Sequence, residues 1–392
     1  MTKLEQLIKE LCPNGVEYKT LGEIAVDVFR GAGIKRDEVT EEGVPCVRYG
    51  EIYTTYGVWF DECVSHTRLE NVQTPKYFEH GDILFAITGE SVEDIAKSTA
   101  YVGHDKCLAG GDIVVLKHNQ NPEYLAYALS TTDAQMQKSK GKVKSKVVHS
   151  SVPAIKEIVV PIPPLQVQSE IVRILDNFAE LSAELSAELS ARKKQYEYYR
   201  DALYTIDDAE IEWKTLNQIS VNCDRQRKPV TKGNRVAGKY PYYGASGIVD
   251  YVEDYIFDGD FLLVSEDGAN LLARSTPIAF SISGKNWVNN HAHVLKFDTY
   301  ELRRYVEIYL NSIDLSKYIS GGAQPKLNQE NLNKIPIPVP SFKRVKFVVD
   351  ILDRFDTLCN DISEGLPAEI EGRRKQYEYY RDKLLTFKEK VN

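Results

Sequence analysis

Apolar residues recur at every third or fourth position through two long segments of the chain. The first segment follows Pro164 and the second follows Pro340. This spacing places the apolar side chains on one stripe of an α-helix. A continuous helix over residues 165–204 would be about 60 Å long, and one apolar stripe of that length needs a partner helix. The pattern therefore predicts that the two segments, called the arms below, pair as an antiparallel coiled coil within the chain.

The two arms are copies of one plan. The string KQYEYYRD occurs at residues 194–201 and again at residues 375–382. Upstream of each copy, PPLQVQSEIVRILDNF and PSFKRVKFVVDILDRF align with each other, and they follow the proline-rich strings VVPIPP and IPIPVP. The string YKTL near the N-terminus returns as WKTL at residues 213–216. A repeat of this length predicts two cycles of one architecture. Gly365 and Pro367 predict a kink or break in the second arm.

The first arm contains three consecutive AELS tetrapeptides at residues 179–190. Ala, Glu and Leu are strong helix formers, so the pattern predicts a rigid helical spacer. Each tetrapeptide would add about 6 Å of helix. A low-complexity helix without such a role is the alternative.

Short apolar runs bounded by glycine indicate buried strands in the two variable regions outside the arms. These runs are GDILFAIT and GDIVVLK in the first region, and GDFLLVS and HAHVLKF in the second. The predicted fold class is therefore mixed α/β, with two variable domains separated by two long antiparallel helices and an internal pseudo-twofold repeat. The predicted boundaries are 1–158, 159–206 (helical), 207–335 and 336–392 (helical). Beyond this framework the variable domains share little sequence, which indicates that they bind two different things.

Composition limits the classes of function. The chain has 392 residues, a charged fraction of 27% and a net charge of −8. This balance excludes a protein coated with phosphate-binding lysines, although a local basic face is sufficient for binding DNA. Residues 138–146 and 223–239 are two such basic segments, with solvated loops as the alternative. Six cysteines without CxxC spacing, no membrane-length apolar run and a charged N-terminus predict a cytoplasmic protein with structural thiols and no membrane partner.

The sequence does not assemble a catalytic site. GNRVAGKY has the spacing of a phosphate-binding loop, but Tyr240 replaces the required serine or threonine. Neither a strand-linked GxGxxG nor the (N/D)PP(Y/F) block of amino-methyltransferases occurs in the sequence. NNHAH lacks an acidic or cysteine partner at zinc spacing, and SEDGAN fits a turn as well as it fits half of a carboxylate pair. We therefore expect no catalysis, metal or cofactor in this chain.

The duplicated PPLxxQ…LDxF helix that ends in KQYEYYRD resembles the specificity subunits of Type I restriction–modification systems. The resemblance covers nearly the whole chain. Its departures are Lys343 and Arg344 in place of a glutamine-rich helix start, and the interruption at Gly365 and Pro367. It implies a non-catalytic subunit whose two target-recognition domains each bind one half of an asymmetric double-stranded DNA site, while the paired helices set the distance between the halves.

The resemblance also implies partners that carry the chemistry. Two modification subunits would dock on this chain and methylate adenine with S-adenosylmethionine. Restriction subunits that use ATP and Mg would then be recruited. A methylation-only system and a fused restriction system are alternatives within the same family. Two other classes also stay open: an autonomous DNA methyltransferase or nuclease with degenerate motifs, and a coiled-coil scaffold that does not bind DNA.

Polar and basic side chains in predicted loops are the candidates for DNA contact, because Lys and Arg bind phosphates whereas Arg, Asn, Gln, Ser and Thr read base edges. Glu90 suits a cytosine amino group, with a solvated loop carboxylate as the alternative. The candidates in the first domain are Arg30, Lys35, Arg36, Arg48, Tyr49, Thr88, Glu90, Ser91, Lys142 and Lys144. Those in the second domain are Arg225, Arg227, Lys228, Tyr243, Ser246, Asn270, Asn290 and His291.

The repeated KQYEYYRD strings supply the candidates for partner binding. Because the string occurs twice, it could bind two identical partners with pseudo-twofold symmetry. Packing in the coiled-coil seam is the alternative for the tyrosines. The candidates are Tyr196, Tyr199, Arg200, Tyr377, Tyr380 and Arg381.

Overall fold

The computed structural model describes residues 2–140, 147–205, 211–321 and 324–390. The chain divides into two compact units. Unit 1 contains Met1–Ser186 and Glu369–Asn392, and unit 2 contains Ala187–Ala368. Within the described ranges, no helix combines the length and the apolar character needed to cross a membrane.

Unit 1 contains the first variable region. Its helices are α1 (Lys3–Leu11), α2 (Leu21–Ile24), α3 (Tyr49–Thr54), α4 (Pro122–Leu129), α5 (Thr132–Ser139), α6 (Val152–Lys156) and the first part of α7 (Leu165–Tyr204). Its strands are β1 (Glu17–Thr20), β2 (Ala25–Arg30), β3 (Val39–Thr40), β4 (Val44–Val47), β5 (Trp59–Phe60), β6 (Ser65–Thr67), β7 (Tyr77–Phe78), β8 (Ile83–Ala86), β9 (Thr88–Gly89), β10 (Ser98–Tyr101), β11 (Cys107–Ala109), β12 (Ile113–His118), β13 (Val148–His149) and β14 (Val159–Ile162).

Unit 2 contains the second variable region and the remainder of α7. Its strands are β15 (Glu212–Thr215), β16 (Val221–Asn222), β17 (Ala237–Gly244), β18 (Gly247–Val252), β19 (Phe257–Asp258), β20 (Phe261–Ser265), β21 (Ala279–Ile282), β22 (Lys285–Val288), β23 (Ala292–Lys296) and β24 (Pro336–Val339). Its helices are α8 (Leu216–Ile219), α9 (Asn270–Ala273), α10 (Tyr300–Ser312), α11 (Gln329–Asn333), α12 (Phe342–Asn360) and the start of α13 (Leu366–Leu384), whose remainder belongs to unit 1.

The two units share one topology over four strands of each large sheet, and unit 1 has a fifth strand in each, β5 and β3. Unit 1 has the strand orders β2-β12-β8-β10-β5 and β3-β6-β4-β11-β7, and unit 2 has β16-β23-β20-β21 and β18-β17-β22-β19. In both first sheets the central pair is antiparallel, β12 with β8 and β23 with β20. In both second sheets the central pair is parallel, β4 with β11 and β17 with β22. The variable domains are therefore more alike in structure than their sequences indicate.

The glycine-bounded apolar runs are buried on both faces because alternate residues enter different cores. In β8, Ile83 and Phe85 pack against α4 and α7, whereas Leu84 and Ala86 pack against the second sheet. In β20, Leu262 and Val264 pack in the helical core, whereas Phe261 and Leu263 enter the other core. Successive strand side chains point to opposite faces, so a strand between two layers has to be apolar throughout.

The repeated KTL and proline-rich strings occur together because they form one ladder in each unit. β1 pairs antiparallel with β14, with Thr20 opposite Val159. β15 pairs antiparallel with β24, with Thr215 opposite Pro336. Proline lacks an amide donor, which a two-stranded ladder tolerates because one side of each strand needs no pairing.

The predicted antiparallel pairing of the arms is present within each unit. In unit 1, Phe178 near the start of α7 stacks on Tyr380 near the end of α13, with ring centroids 5.7 Å apart. In unit 2, Phe355 of α12 lies 5.6 Å from Tyr199 near the end of α7. Each pair joins the phenylalanine of one LDxF motif to the third tyrosine of a KQYEYYRD string. The mixed α/β fold with long paired helices is confirmed.

The aspartate of each LDxF motif anchors a variable domain to its arm. Asp176 accepts a hydrogen bond of 2.6 Å from the Tyr127 hydroxyl. Asp353 accepts one of 2.6 Å from Tyr300 and another of 2.7 Å from Arg304 Nε. The leucine before each aspartate is fully buried in the helical core of its unit. The repeated motif is thus a repeated attachment point.

The predicted break in the second arm is confirmed. α12 ends at Asn360 and α13 begins at Leu366. A Cβ atom at Gly365 would collide with the Thr357 carbonyl oxygen, so the chain can turn closely here only with glycine.

The C-terminal residues complete the core of unit 1. Leu385 is buried in the same cluster as Leu4, Ile171 and Leu175. The Val16 amide donates to the Lys388 carbonyl at 2.9 Å, and the Lys390 amide donates to the Val16 carbonyl at 3.0 Å. Unit 1 is therefore built from two distant parts of the sequence.

Candidate nucleic-acid interface

Three loops of unit 2 enclose a cleft of about 690 Å³ at the ends of neighbouring strands. The loops contain residues 244–246 at the end of β17, residues 267–270 after β20 and residues 289–291 after β22. Of the predicted residues, Ser246, Asn270, Asn290 and His291 line this cleft together. Asn270 also holds its loop in shape through its side chain. Its Oδ1 accepts a hydrogen bond from the Thr276 backbone amide, and its Nδ2 donates one to the Thr276 carbonyl.

His291 is held at three points. Its amide donates to Asn289 Oδ1 at 2.8 Å, and its carbonyl accepts from the Glu266 amide at 2.9 Å. Its ring Nδ1 lies 2.9 Å from both carboxylate oxygens of Asp267. The side chains remain 51% exposed for His291 and 33% exposed for Asp267. The cleft therefore contains a fixed, accessible imidazole–carboxylate pair.

A cluster of charged groups lies next to the cleft, with His293 on β23, Glu266 directly after β20, and Asp224 and Arg227 after β16. His293 Nδ1 is 2.6 Å from Asp224 Oδ2, and its Nε2 is 2.7 Å from the Leu327 carbonyl oxygen. Arg227 donates to Glu266 at 2.7 Å and to the Ala292 carbonyl at 2.7 Å. Because a carbonyl oxygen only accepts hydrogen bonds, Nε2 of His293 carries a hydrogen atom. This nitrogen is therefore not available as a metal ligand.

The charges within this cluster compensate one another. Burial alone would raise the pKa of the Asp224 carboxyl, but the hydrogen bond and charge of His293 lower it below its ordinary value. Burial alone would likewise raise the pKa of Glu266, but the hydrogen bonds from Arg227 and Lys326, together with the charges of His293 and Arg227, lower it. Asp224, Glu266 and His293 bring potential metal-ligand atoms within 4.8 Å of one another. Their hydrogen atoms and cationic neighbours fit an ion-pair cluster better than a metal site.

The structure separates the predicted basic residues of unit 2. Arg227 is turned into the charged cluster, and its side chain is only 13% exposed. Arg225 and Lys228 are exposed beside it. Tyr243 is half-buried, with its ring centroid 6.1 Å from that of Phe280. Arg235 belongs to the basic segment 223–239 but was not among the predicted DNA contacts. It lines the cleft, with its guanidinium carbon 4.4 Å from the centroid of the Tyr242 ring, and it pairs with Asp250 at 3.1 Å.

Unit 1 has two adjoining clefts at the corresponding strand ends. One, of about 640 Å³, is lined by Arg36, Arg48 and Tyr49, and by residues 110–112 after β11. The other, of about 520 Å³, shares Tyr49 and includes the residues after β8. The predicted residues in this second cleft are Tyr49, Thr88, Glu90 and Ser91. The repeated topology thus places some of the candidates of both domains, such as Tyr49 and Ser246, in segments that follow equivalent strands.

Arg48 is positioned by a buried acid. Its Nε and Nη2 atoms donate to Glu51 Oε1 at 3.0 and 2.9 Å, and Ser65 Oγ donates to the same oxygen at 2.7 Å. Arg30, also predicted, is paired with Asp112 and donates to the Gly111 carbonyl. These arginines are held in place before any ligand binds.

The remaining basic candidates of unit 1 are less constrained. The Nζ atom of Lys35 lies 3.4 Å from Oε1 of Glu38, and the lysine side chain is largely exposed. Arg36 is exposed and makes no ion pair with any residue in the described part of the chain. Lys142 and Lys144, which were also predicted to bind DNA, lie outside the described residues.

The candidate tyrosines of the arms serve the seam to different degrees. Tyr196 and Tyr377 pack against the helical cores of their units, and burial raises the pKa of each. Tyr380 stacks on Phe178, and the Tyr199 ring lies tilted against that of Phe355. Arg200 and Arg381 pair with the aspartate that follows each of them. The most exposed tyrosines of the two strings are the middle ones, Tyr198 at 70% and Tyr379 at 60%, which were not among the predicted residues.

Duplicated α/β domains with unlike clefts, each anchored to a helical arm, define a protein with two separate binding domains. The chain belongs to the family described as Type I restriction modification DNA specificity domain, whose model matches residues 13–192 and 210–372. The resemblance stated from the repeated motifs is confirmed.

Named relatives carry the same description. The chain is 37% identical over 188 residues to a putative type I restriction enzyme specificity subunit of Haemophilus influenzae. The matched region covers 47% of this chain and 48% of the relative. It is 34% identical over 257 residues to the specificity subunit of a type I restriction enzyme of Escherichia coli, which covers 59% and 63%. The chain therefore spans about half to three fifths of the length of these relatives.

The fold is similar to solved structures over nearly its full length. A chain from a structure on complex assembly and conformational transition of the type I restriction–modification system matches 96% of this chain and 98% of its own length, with a TM-score of 0.66. The sequence identity is 14%. At this identity the likeness supports the architecture alone.

Proposed function

We propose that this chain is the DNA specificity subunit of a Type I restriction–modification complex. Each variable domain would bind one half of a bipartite double-stranded site, and the chain itself would catalyse nothing. The observation that carries the proposal is the pair of topologically equivalent domains whose clefts are lined by different polar residues. Two copies of one scaffold with unlike linings suit the recognition of two unlike base sequences.

The linings differ in the chemistry they offer to DNA. The unit 1 clefts present Arg36, Arg48, Tyr49 and Glu90, whereas the unit 2 cleft presents Ser246, Asp267, Asn290 and His291. Arginine suits the guanine edge, while asparagine and carboxylates suit bases with amino groups. Exposed lysines and arginines near the clefts, among them Lys35, Arg225 and Lys228, would bind phosphates, as would Lys142 and Lys144.

The function requires partners that perform the chemistry. We propose that two modification subunits dock on the repeated KQYEYYRD strings and supply S-adenosylmethionine-dependent methylation. The repeated tyrosine and arginine side chains offer the same surface twice, and Tyr198 and Tyr379 are the most exposed aromatic groups on it. Restriction subunits with ATP and Mg would join the same complex. The functional boundaries would be 1–158, 159–206, 207–335 and 336–392, and the site of action would be the cytoplasm, where the host DNA lies.

The test combines binding and methylation. The chain is coexpressed with the modification subunit of its own system, and methylated adenines are mapped across the host genome. We expect one bipartite motif with unlike halves, salt-dependent binding of that motif by the complex, and no methyl transfer or cleavage by the purified chain alone. Activity of the chain alone would instead indicate an autonomous enzyme. A complex that does not bind DNA would indicate a scaffold.

A further inference from the structure

We propose that Asp267 is a specificity-determining residue of unit 2. Its carboxylate would accept a hydrogen bond from the exocyclic amino group of an adenine or a cytosine in the half-site, while His291 positions it. The inference rests on the proposed function, since it names one base contact of the proposed DNA reader.

The carboxylate of Asp267 has acceptor capacity to spare. An ionised carboxylate offers about four lone-pair positions. The single Nδ1–H of His291 lies 2.9 Å from both oxygens, and no ion pair with a lysine or arginine of the described residues occupies the rest. The side chain lines the cleft and is one third exposed. It therefore presents an oriented acceptor to a ligand in the cleft.

The surrounding chain fixes the position of this carboxylate. The preceding residue, Glu266, is bonded to Arg227 at 2.7 Å and to Lys326 at 3.1 Å. The Gly268 amide donates to the Pro325 carbonyl at 3.2 Å, and Gly268 has a φ of 108°, which L residues rarely adopt. The loop therefore turns sharply just after Asp267. A side chain held in this way loses little conformational entropy on binding.

Electrostatics narrow the ligand group to two bases. The exposed side chains of Arg225 and Lys228, in the segment 225–228, suit phosphate groups. The Asp267 carboxylate is repelled by phosphate, and also by the hydrogen-bond acceptor atoms of guanine and thymine. We take the cleft to meet the major groove, where the base groups that donate hydrogen bonds are the amino groups of adenine and cytosine. Glu90 of unit 1 follows the equivalent central strand, but the structure gives it no imidazole partner comparable to His291 among the described residues.

The experiment compares variants within the complete methylating complex. Asp267→Asn keeps the shape but replaces one acceptor by a donor. His291→Ala removes the positioning group and keeps the carboxylate. Asp298→Asn is the matched control, since Asp298 is an exposed carboxylate of the same unit outside the cleft. For each complex, methylation is measured on a library in which every position of the wild-type motif is varied in turn.

We expect Asp267→Asn to lower the preference for adenine or cytosine at one position of one half-site by at least about fivefold. His291→Ala should lower the preference at that same position by a smaller factor, and Asp298→Asn should leave it unchanged. In the Asp267→Asn complex every other position, including the whole second half-site, should keep its preference.

Two outcomes would overturn the assignment. One is an Asp267→Asn complex that keeps all preferences, and the other is one that loses activity equally on every sequence. If Asp267→Asn does not fold, as judged by its thermal unfolding, His291→Ala decides the question by the same position-specific test. A wild-type complex with no bipartite motif would contradict the proposed function itself, so the two failures are distinguishable.

Discussion

Replacing Lys138 with methionine is expected to stabilise unit 1 at neutral pH and to destabilise it in alkaline solution. The Lys138 side chain is 5% exposed, and its Nζ donates to the Leu129 carbonyl at 2.7 Å and to Ser98 Oγ at 3.1 Å. The Phe85 ring lies 5.9 Å from the same nitrogen. No carboxylate of the described residues forms an ion pair with it. Burial therefore lowers the pKa of Lys138 from 10.5 to about 7.

The sign and size of the effect follow from linkage. Between pH 7 and pH 10.5 the unfolded chain binds the proton of Lys138 more tightly than the folded chain does, so the stability of unit 1 rises with pH across this window. The penalty is about 4 kcal/mol at pH 7, from ~1.36 kcal/mol per pH unit, and it nearly vanishes at pH 10.5. Methionine removes this penalty but also removes two hydrogen bonds, at about 1 kcal/mol each. The expected change is a gain of about 2 kcal/mol at pH 7 and a loss of about 2 kcal/mol at pH 10.5.

Urea unfolding monitored by Trp59 fluorescence measures this change. The sequence contains three tryptophans, and Trp59 is the one within the ranges of unit 1. Trp213 and Trp287 are replaced by phenylalanine in every variant, so that the signal reports unit 1. Lys140→Met is the matched control, because Lys140 is exposed and lies two residues away. A difference between Lys138→Met and its parent that is constant from pH 7 to pH 10 would refute the reasoning.

Three further predictions concern the arms, the variable domains and the anchors. Deleting one AELS tetrapeptide removes about 6 Å of α7, so the methylated motif should lose at most about two base pairs between its halves, and an altered half-site would contradict the spacer role. Exchanging residues 210–334 for those of another family member should change one half-site and leave the other intact, as methylome mapping will show; a change in both would count against separate readers. Tyr127→Phe should destabilise unit 1 by about 1.5–3 kcal/mol, because it removes a hydrogen bond to a charged group, whereas Tyr300→Phe should cost unit 2 less because Asp353 keeps Arg304. Urea unfolding of each unit distinguishes these two losses, and equal losses would show that Arg304 does not compensate for the lost tyrosine hydroxyl at Asp353.

The parts of the fold that the sequence predicts are those in which local periodicity and repetition act together. The stripe over residues 165–204 matches α7 residue for residue, and Gly365 marks the interruption between α12 and α13. The glycine-bounded runs GDILFAIT and GDFLLVS contain the central strands β8 and β20. In these segments a single helix or strand carries the whole signal, so no long-range contact is needed to recognise it.

The shared topology of the variable domains could not be predicted in the same way. It depends on which strands become neighbours, and β4 pairs with β11 across some sixty residues of chain. The composition of the clefts depends on the same pairing, because three separate loops meet only when the strands are in order. The turn of Arg227 away from solvent has a similar origin, since its partner Glu266 is distant in sequence. The sequence alone predicts that a basic side chain in a loop is exposed, because it does not show which distant carboxylate the side chain pairs with.

The last two dozen residues of the chain belong to the compact unit that contains the first variable region. Leu385 is buried in that unit beside Leu4, and Val16 is hydrogen-bonded to both Lys388 and Lys390. A stop codon after residue 368 would therefore destabilise unit 1, although the segment that contains the first variable region would still be translated in full. Mutations in residues 369–390 should therefore weaken recognition of the half-site that the first variable region binds.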